Sequence, residues 1–490
     1  MCSVSVVQQL LAYGNIHSRA YHNLETLCIC FPGRVTGSEI LESALDFIIE
    51  VGTSEMGLKV CVENVQGVPN WIRGDSDKEK LLVDIEDNGI WPEPNPKKRV
   101  FRIMANGMSI GTGEDGVAGP IISCKSIDEL KSLGTAKVQG SIVLLDYGHY
   151  TIYKELSGAV RGKGAIEASR LGALAYLHRV IAPDDSLSGL HTGTIYPFPN
   201  DVQPIPSAGV TIEDAELLTR LLRRGYGLYG SVTLPCRRYE DKTSRNVIFE
   251  IKGSGPNGDE VVLIGAHTDS WDCGNSACQG AHDDGQGILC CLEALRTIQQ
   301  CGLSPSRTIR CVLFVDEEVR QTGSIAYAAG CTDLDKIVVA LETDLGAGPV
   351  CGFGLQAGCG ADEIVSKILQ PMNPINKFKN SLRNAKGEPL CKDCHTVNYV
   401  SSEWQGWGMD MYPLVVNEGI PGMLLRHEDS WWDHDYFHFH HTAVDTINNI
   451  NAELLLLNQH VMTAVTWLLA NATAADQVIP RGEKQANKFY

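Results

Sequence analysis

Two apolar runs, Val261–Ala266 and Ile309–Val315, end in groups that can bind a cation or move a proton. The first runs into His267-Thr268-Asp269 and the second into Asp316-Glu317-Glu318. Between them, Gly280-Ala281-His282-Asp283-Asp284-Gly285 leads into a helix-like segment from Ile288 to Gln300. A third run, Ile337–Leu341, ends in Glu342-Thr343-Asp344, and far downstream stands His440-His441-Thr442-Ala443-Val444-Asp445-Thr446. Imidazole nitrogens and carboxylate oxygens form a mixed donor set that suits Zn²⁺ and leaves positions for water and substrate. The candidate ligands are His267, Asp283, Glu318, Asp344 and His441, with Glu317 spare as a general base. A carboxylate such as Asp283 can bridge two cations, which sit roughly 3.5–4 Å apart in two-metal hydrolases. On a strand His267 and Asp269 share a face, so Asp269 is expected to orient the imidazole through its other nitrogen. A single His or Asp after a strand is usually a cap; the same ending on successive runs is what points to a site.

The elements that must carry these residues follow from the pattern around them. Each run is short, rich in Val, Leu and Ile, and without polar alternation, as in strands buried on both faces. Helical segments lie between them, which predicts an α/β fold with a mixed central sheet flanked by helices. In such sheets sites form beyond the carboxyl ends of the strands. Val4–Val51 is mainly helical, and Leu58–Glu63 and Val100–Met104 are strand-like, separated by the Pro-rich Asn88–Lys98. From about Gly111 short strands alternate with glycines and helical pieces, with no cluster of metal-type residues, so an inserted α/β unit is expected. Leu414–Val416 is strand-like, and Leu454–Ala475, broken by Asn458, Gln459 and His460, is a core helix.

At 490 residues the chain is too long for one ordinary core, so two domains or a domain with an insertion are expected. A net charge of −18 argues against nucleic acid or an anionic membrane as partner. No apolar run is long enough to span a bilayer. The 17 cysteines are scattered, and many fall in apolar runs, which fits buried thiols and a reducing compartment. The N-terminus has no basic segment ahead of an apolar core and is not expected to be a signal peptide.

The pattern H-x-D, G-A-x-D-D-G, E-E, E-x-D and H-T-x-x-D-T resembles that of the co-catalytic zinc exopeptidases, a family that includes bacterial leucyl aminopeptidase and glutamate carboxypeptidase II. His267–Asp272 and Tyr436–His441 are similar to metal-binding segments of its plasma glutamate carboxypeptidase branch. Ala12–Gly14, Arg34–Ser38, Gly164–Ala168, Leu190–Gly193 and Thr211–Ala215 extend the resemblance along nearly the whole chain. The resemblance implies two Zn²⁺ per chain, with His267 and Asp344 on one ion, Glu318 and His441 on the other, and Asp283 between them. It implies Glu317 as the base, His440 near the oxyanion, and supporting places for Asp269, Asp410 and Asp445. It implies a protease-associated domain at about 112–236, set between an N-terminal part, 1–111, and the main catalytic part, 237–490. The expected function is hydrolysis of dipeptides or terminal peptide bonds, with aminopeptidase or a non-catalytic receptor-like relative as alternatives. A homodimer and a secreted or lysosomal location are implied too, with a cytoplasmic one as the alternative.

Other motifs carry less. Cys391-Lys-Asp-Cys394-His395 spells a haem attachment signal with nothing else to support it. Gly107-Met-Ser109-Ile-Gly111 spells a nucleophile elbow without the helix that should follow. His427-Glu428 lacks the second histidine of a zincin helix, and His17 and His22 are expected on a helix surface. Cys273–Gln279 lies between two ligand-bearing motifs and is expected to border the substrate mouth. The aromatic residues Trp431, Trp432, Tyr436, Phe437 and Phe439 could wall the pocket.

Overall fold

A computed structural model describes residues 3–86, 97–274, 278–392, 395–402 and 409–485, the side chains of Trp432 and Asp433 excepted. An eight-stranded mixed sheet forms its centre. The strand Val261–His267 lies in the middle, parallel to Thr308–Phe314 on one side and to Ile337–Glu342 on the other. All seven of its residues are buried, as an unalternating apolar run requires. From Val261–His267 the chain passes through the helix Gln286–Gln300 to one neighbour. It then crosses through the helix Thr322–Gly330 to the strand on the opposite side. The strand order therefore reverses at Val261–His267, and a crevice opens beyond the carboxyl ends of the three parallel strands. Lys242–Ile251 and Lys59–Val68 extend the sheet antiparallel on one edge. Gly422–His427, Val350–Gln356 and Val400–Ser401 complete the other.

One face of the sheet is covered by Gln286–Gln300 and by Ala452–Asn471, whose residues from Val461 to Ala470 are all buried. Leu289, Leu292 and Leu295 are at most 1% exposed in the core beneath them. Each such leucine contributes about 1.5–3 kcal/mol by leaving water. The N-terminal helices Ser3–His17, Ala20–Cys30 and Glu39–Glu50 close this layer, the last capped by Ser38 Oγ on Leu41 N. His17 and His22 are exposed, as the helical reading expects. Among the described residues no helix is long and apolar enough to cross a membrane.

A second unit is a closed barrel of seven strands, Lys80–Glu86, Lys98–Ala105, Ser207–Val210, Ala175–Arg179, Ile142–Leu145, Val117–Cys124 and Gly227–Thr233. It begins well before residue 112. Lys80–Glu86 pairs with Gly227–Thr233, and Lys98–Ala105 with Ser207–Val210, so both complete the barrel rather than the central sheet. The Pro-rich stretch between these two strands hid their hairpin-like relation in the sequence, and residues 87–96 of it lie outside the described residues. A second difference concerns Leu414–Val416. It lies in a helical turn, Pro413–Asn417, because Pro413 starts a turn readily and cannot donate to a sheet ladder.

Candidate active site

His267 is the last residue of the central strand, and its ring is fully buried in the crevice. Its Nε2 lies 3.2 Å from Asp283 Oδ1 and 3.1 Å from Asp344 Oδ1. The other oxygen of Asp283, Oδ2, lies 3.4 Å from His441 Nε2 and 3.7 Å from His440 Nε2. His441 Nε2 is also 2.8 Å from Glu318 Oε2. Five residues expected as ligands thus meet around one carboxylate, whose two oxygens face different histidines. Glu317 is partly exposed and lines a cleft of about 910 Å³ that also borders Asp283, Asp344 and His441.

Each side chain is set by local structure. Asp283 and Asp284 fall in the turn before Gln286–Gln300, joined by a cis peptide bond. Asp284 Oδ1 accepts from Gly287 N at 3.1 Å and Gln286 Nε2 at 3.0 Å. A Cβ on Gly287 would come within 2.3 Å of Asp284 Oδ2, so only glycine lets this carboxylate fold back on the helix start. Asp445 accepts from His282 N at 2.7 Å and Asp283 N at 3.2 Å, fixing the backbone that carries Asp283. Asp269 meets the other nitrogen of His267 chiefly through its main chain, because the strand stops at His267. The His267 Nδ1 lies 3.1 Å from the Asp269 main-chain oxygen, with the carboxylate at 3.7 Å. The Asp269 carboxylate instead accepts from Glu317 N at 3.1 Å and Glu318 N at 3.3 Å, holding the loop that bears both glutamates. Asp410 is fully buried, and its N–H and that of Met411 donate to Glu342 at 3.2 and 2.9 Å.

The barrel contributes as well. Thr192 N donates to the His441 main-chain oxygen at 3.1 Å, and His441 Nδ1 lies 3.3 Å from Thr192 O. His440 stacks on His441 with centroids 3.5 Å apart and meets Tyr153 edge-on at 4.8 Å. Its buried Nδ1 has no hydrogen-bond partner. Tyr153, Tyr436 and Phe437 line the cleft, so part of the expected aromatic wall is present. The side chain of Trp432 lies outside the described residues.

Arg161 was not legible from the sequence as a site residue. It is buried at the cleft, and its guanidinium donates to Thr192 O, Thr194 O and Tyr153 Oη, all uncharged acceptors. The available signal was an arginine inside the small, apolar stretch Ser157-Gly-Ala-Val-Arg-Gly162. Arg34 is another such residue. Fully buried, it donates to Thr268 O, Gln279 O and Gly280 O at 3.0, 2.6 and 3.1 Å. It thereby ties the loop after His267 to the loop before Asp283.

The charges in the crevice are unbalanced. Burial pushes Glu317 and Glu318 well above the usual carboxylate range, and crowding by Asp344 and Asp283 adds to it. Burial likewise raises Glu342 to about 8 and Asp344 to about 6. Burial holds His441 down to about 3 and His440 well below its ordinary value, so both imidazoles are neutral. His267, by contrast, is pushed well above its ordinary value, its burial outweighed by Asp344, Asp269 and Asp283 around it. Because a divalent cation takes these groups in their deprotonated forms, its binding would release protons.

One expectation, and two motifs that the sequence already argued against, find no place in this site. Cys273 and Cys278 do not border the mouth but pack in a small apolar cluster with Met104, and residues 275–277 lie outside the described residues. Ser109 is fully buried, and its Oγ accepts from Ser207 N, so it is no nucleophile. His427 is buried against Asn458. Of the haem-like motif, residues 393 and 394 lie outside the described residues, as do 403–408 before Asp410. Among the described residues no two cysteines form a disulfide.

Known proteins resemble this chain along nearly its whole length. The family model for peptidase family M28 matches residues 246–466. Carboxypeptidase Q of Bos taurus is 31% identical over 476 residues, covering 96% of this chain and 89% of its own. The crystal structure of a peptidase M28 precursor from Shewanella amazonensis is 29% identical, with a TM-score of 0.83 over 98% of this chain and 99% of that one. BSAP, a zinc aminopeptidase from Bacillus subtilis, shares the fold at 19% identity, with a TM-score of 0.63 over 94% and 97% of the two chains. Identity of this order along almost the full length of both sequences, with the crevice and its acids in place, means that the chain belongs to peptidase family M28.

Proposed function

We propose that this zinc-dependent exopeptidase cleaves free dipeptides or C-terminal residues, using two Zn²⁺ ions held by His267, Asp283, Glu318, Asp344 and His441. The observation that carries the reading is Asp283, with Oδ1 against His267 and Oδ2 against His441. The donor set fits the metal: two imidazoles and three carboxylates are borderline and hard ligands of the kind zinc takes. His267 and Asp344 would hold one ion and Glu318 and His441 the other, with Asp283 shared. When bound, the ions supply Lewis acidity toward the scissile carbonyl and lower the pKa of the attacking water.

The chain's own residues do the rest. Glu317, open to the cleft, takes a proton from the attacking water and returns it to the leaving amine. Its raised proton affinity, caused first by burial, suits it to both transfers. His440, with a buried and unpartnered Nδ1, donates to the oxyanion as it forms. Asp269 keeps the two glutamates in place, Asp445 keeps Asp283 in place, and Asp410 braces Glu342. Arg161 offers a guanidinium satisfied only by neutral oxygens, and a substrate's free C-terminal carboxylate is the partner its charge lacks. That feature and the carboxypeptidase Q relatives favour C-terminal recognition over aminopeptidase action.

The same proposal takes the barrel as an inserted protease-associated domain, since its Thr192 and Arg161 reach the site. It takes the protein as a homodimer that is secreted or lysosomal, on the resemblance; sizing chromatography and cell fractionation test these two points. A panel of dipeptides, free, N-blocked and C-blocked, assayed with and without a chelator, tests the activity. Cleavage of free and N-blocked peptides, lost on chelation, is expected. Preference for C-blocked peptides would mean an aminopeptidase instead, and turnover of none of them would mean a receptor-like relative.

A further inference from the structure

Beside the cleft, on the outer surface, a second group of metal-type side chains converges from two units of the fold. Asp185 stands in the barrel loop after Ala175–Arg179, and His434 and His438 stand four residues apart on the helical turns that lead to His440 and His441. Residues at this spacing lie on one side of a helical segment, and the two rings are 4.6 Å apart. His434 Nε2 is 3.2 Å and His438 Nε2 3.3 Å from the same oxygen, Asp185 Oδ1. One donor atom from each residue falls within 4.8 Å of the others.

The back of each ring is also arranged. His434 Nδ1 lies 3.1 Å from Asp435 Oδ1, and His438 Nδ1 lies 2.6 Å from Ser186 Oγ. Ligating imidazoles are oriented in this way, with the nitrogen away from the metal held by a carboxylate or hydroxyl. Asp184, the neighbouring acid, is engaged elsewhere, by Arg179, by Tyr150 N and by His149. Asp185 is therefore the carboxylate left to face the two histidines. Side-chain exposures of 68%, 47% and 27% for Asp185, His434 and His438 leave room for water to complete a coordination shell.

We propose that Asp185, His434 and His438 form a further zinc site, separate from the crevice, that clips the barrel to the segment bearing His440 and His441. Two imidazoles and a carboxylate with remaining positions open to water are a donor set that zinc takes. Exposure makes the site weaker than the buried one, so it fills last and empties on dialysis.

The test uses the enzyme as purified and dialysed, retaining its tightly held metal, titrated with Zn²⁺ by calorimetry. One additional equivalent should bind to the parent and be absent from the His434→Asn/His438→Asn variant. Ser186→Ala keeps all three ligands and should weaken that equivalent by about 10-fold or more, because His438 loses its orienting partner. Excess Zn²⁺ should raise the melting temperature of the parent but not of the double variant, since the ion binds only the folded state. Dipeptide turnover of the dialysed variants confirms that they fold. The proposal is overturned if the parent takes up no additional equivalent, or if the double variant takes it up as the parent does.

Discussion

The roles of individual side chains separate two adjacent acids. Glu317→Gln should leave bound zinc unchanged and lower turnover by about 10²–10⁴-fold, because the attacking water loses its proton acceptor. Glu318→Gln should instead lower zinc content, because it removes an oxygen that lies 2.8 Å from His441 Nε2. Metal analysis beside steady-state kinetics distinguishes these, and swapped phenotypes would reverse the assignment. Arg161→Gln should raise KM for free dipeptides by about 10-fold, the worth of one charge-assisted hydrogen bond, and leave C-terminal amides unaffected. Equal effects on both substrates would mean that Arg161 only braces the loop at Thr192 and Thr194.

Between the side chains and the fold stand the loops that aim them. Arg34→Met would leave the main-chain oxygens of Thr268, Gln279 and Gly280 buried without a donor. A loss of about 3 kcal/mol in denaturant unfolding is expected, together with a lower zinc content as the two loops drift apart. A variant as stable as its parent would show that these carbonyls find other donors. The three parallel strands and the acids that end them were legible because unalternating apolar runs stopped by charge have few other readings. The partnership of Asp269 with the Glu317–Glu318 backbone was not, because it depends on where the strand stops rather than on spacing. Arg34 and Arg161 were missed for a similar reason. Their partners are main-chain oxygens, which leave no mark in composition. The helical turn at Pro413 shows the opposite limit, since three apolar residues do not reveal their own period.

Across the whole molecule, buried imidazoles tie stability to pH. Burial holds His178, His427 and His460 at about 4, against an ordinary value near 6.5. Below 6.5 these three rings take up protons in the unfolded chain that they refuse in the folded one, so their contribution to stability falls from about pH 6.5 and goes on falling to about pH 4. His178 alone accounts for up to about 3 kcal/mol of that loss. His178→Gln should flatten the fall by a comparable amount in urea unfolding followed between pH 7.5 and 4.5, and an unchanged slope would assign the loss to other groups. The barrel that holds His178 also closes over the crevice through Thr192 and His441, so the site depends on both units being folded. The account as a whole stands on a two-metal crevice, and the most direct measurement is titration of chelator-stripped protein with Zn²⁺ while dipeptide turnover is followed. Activity should return in full with the second equivalent bound per chain, and Asp283→Asn should abolish that return. Full turnover in the stripped protein, or full recovery with the first equivalent alone, would contradict the account.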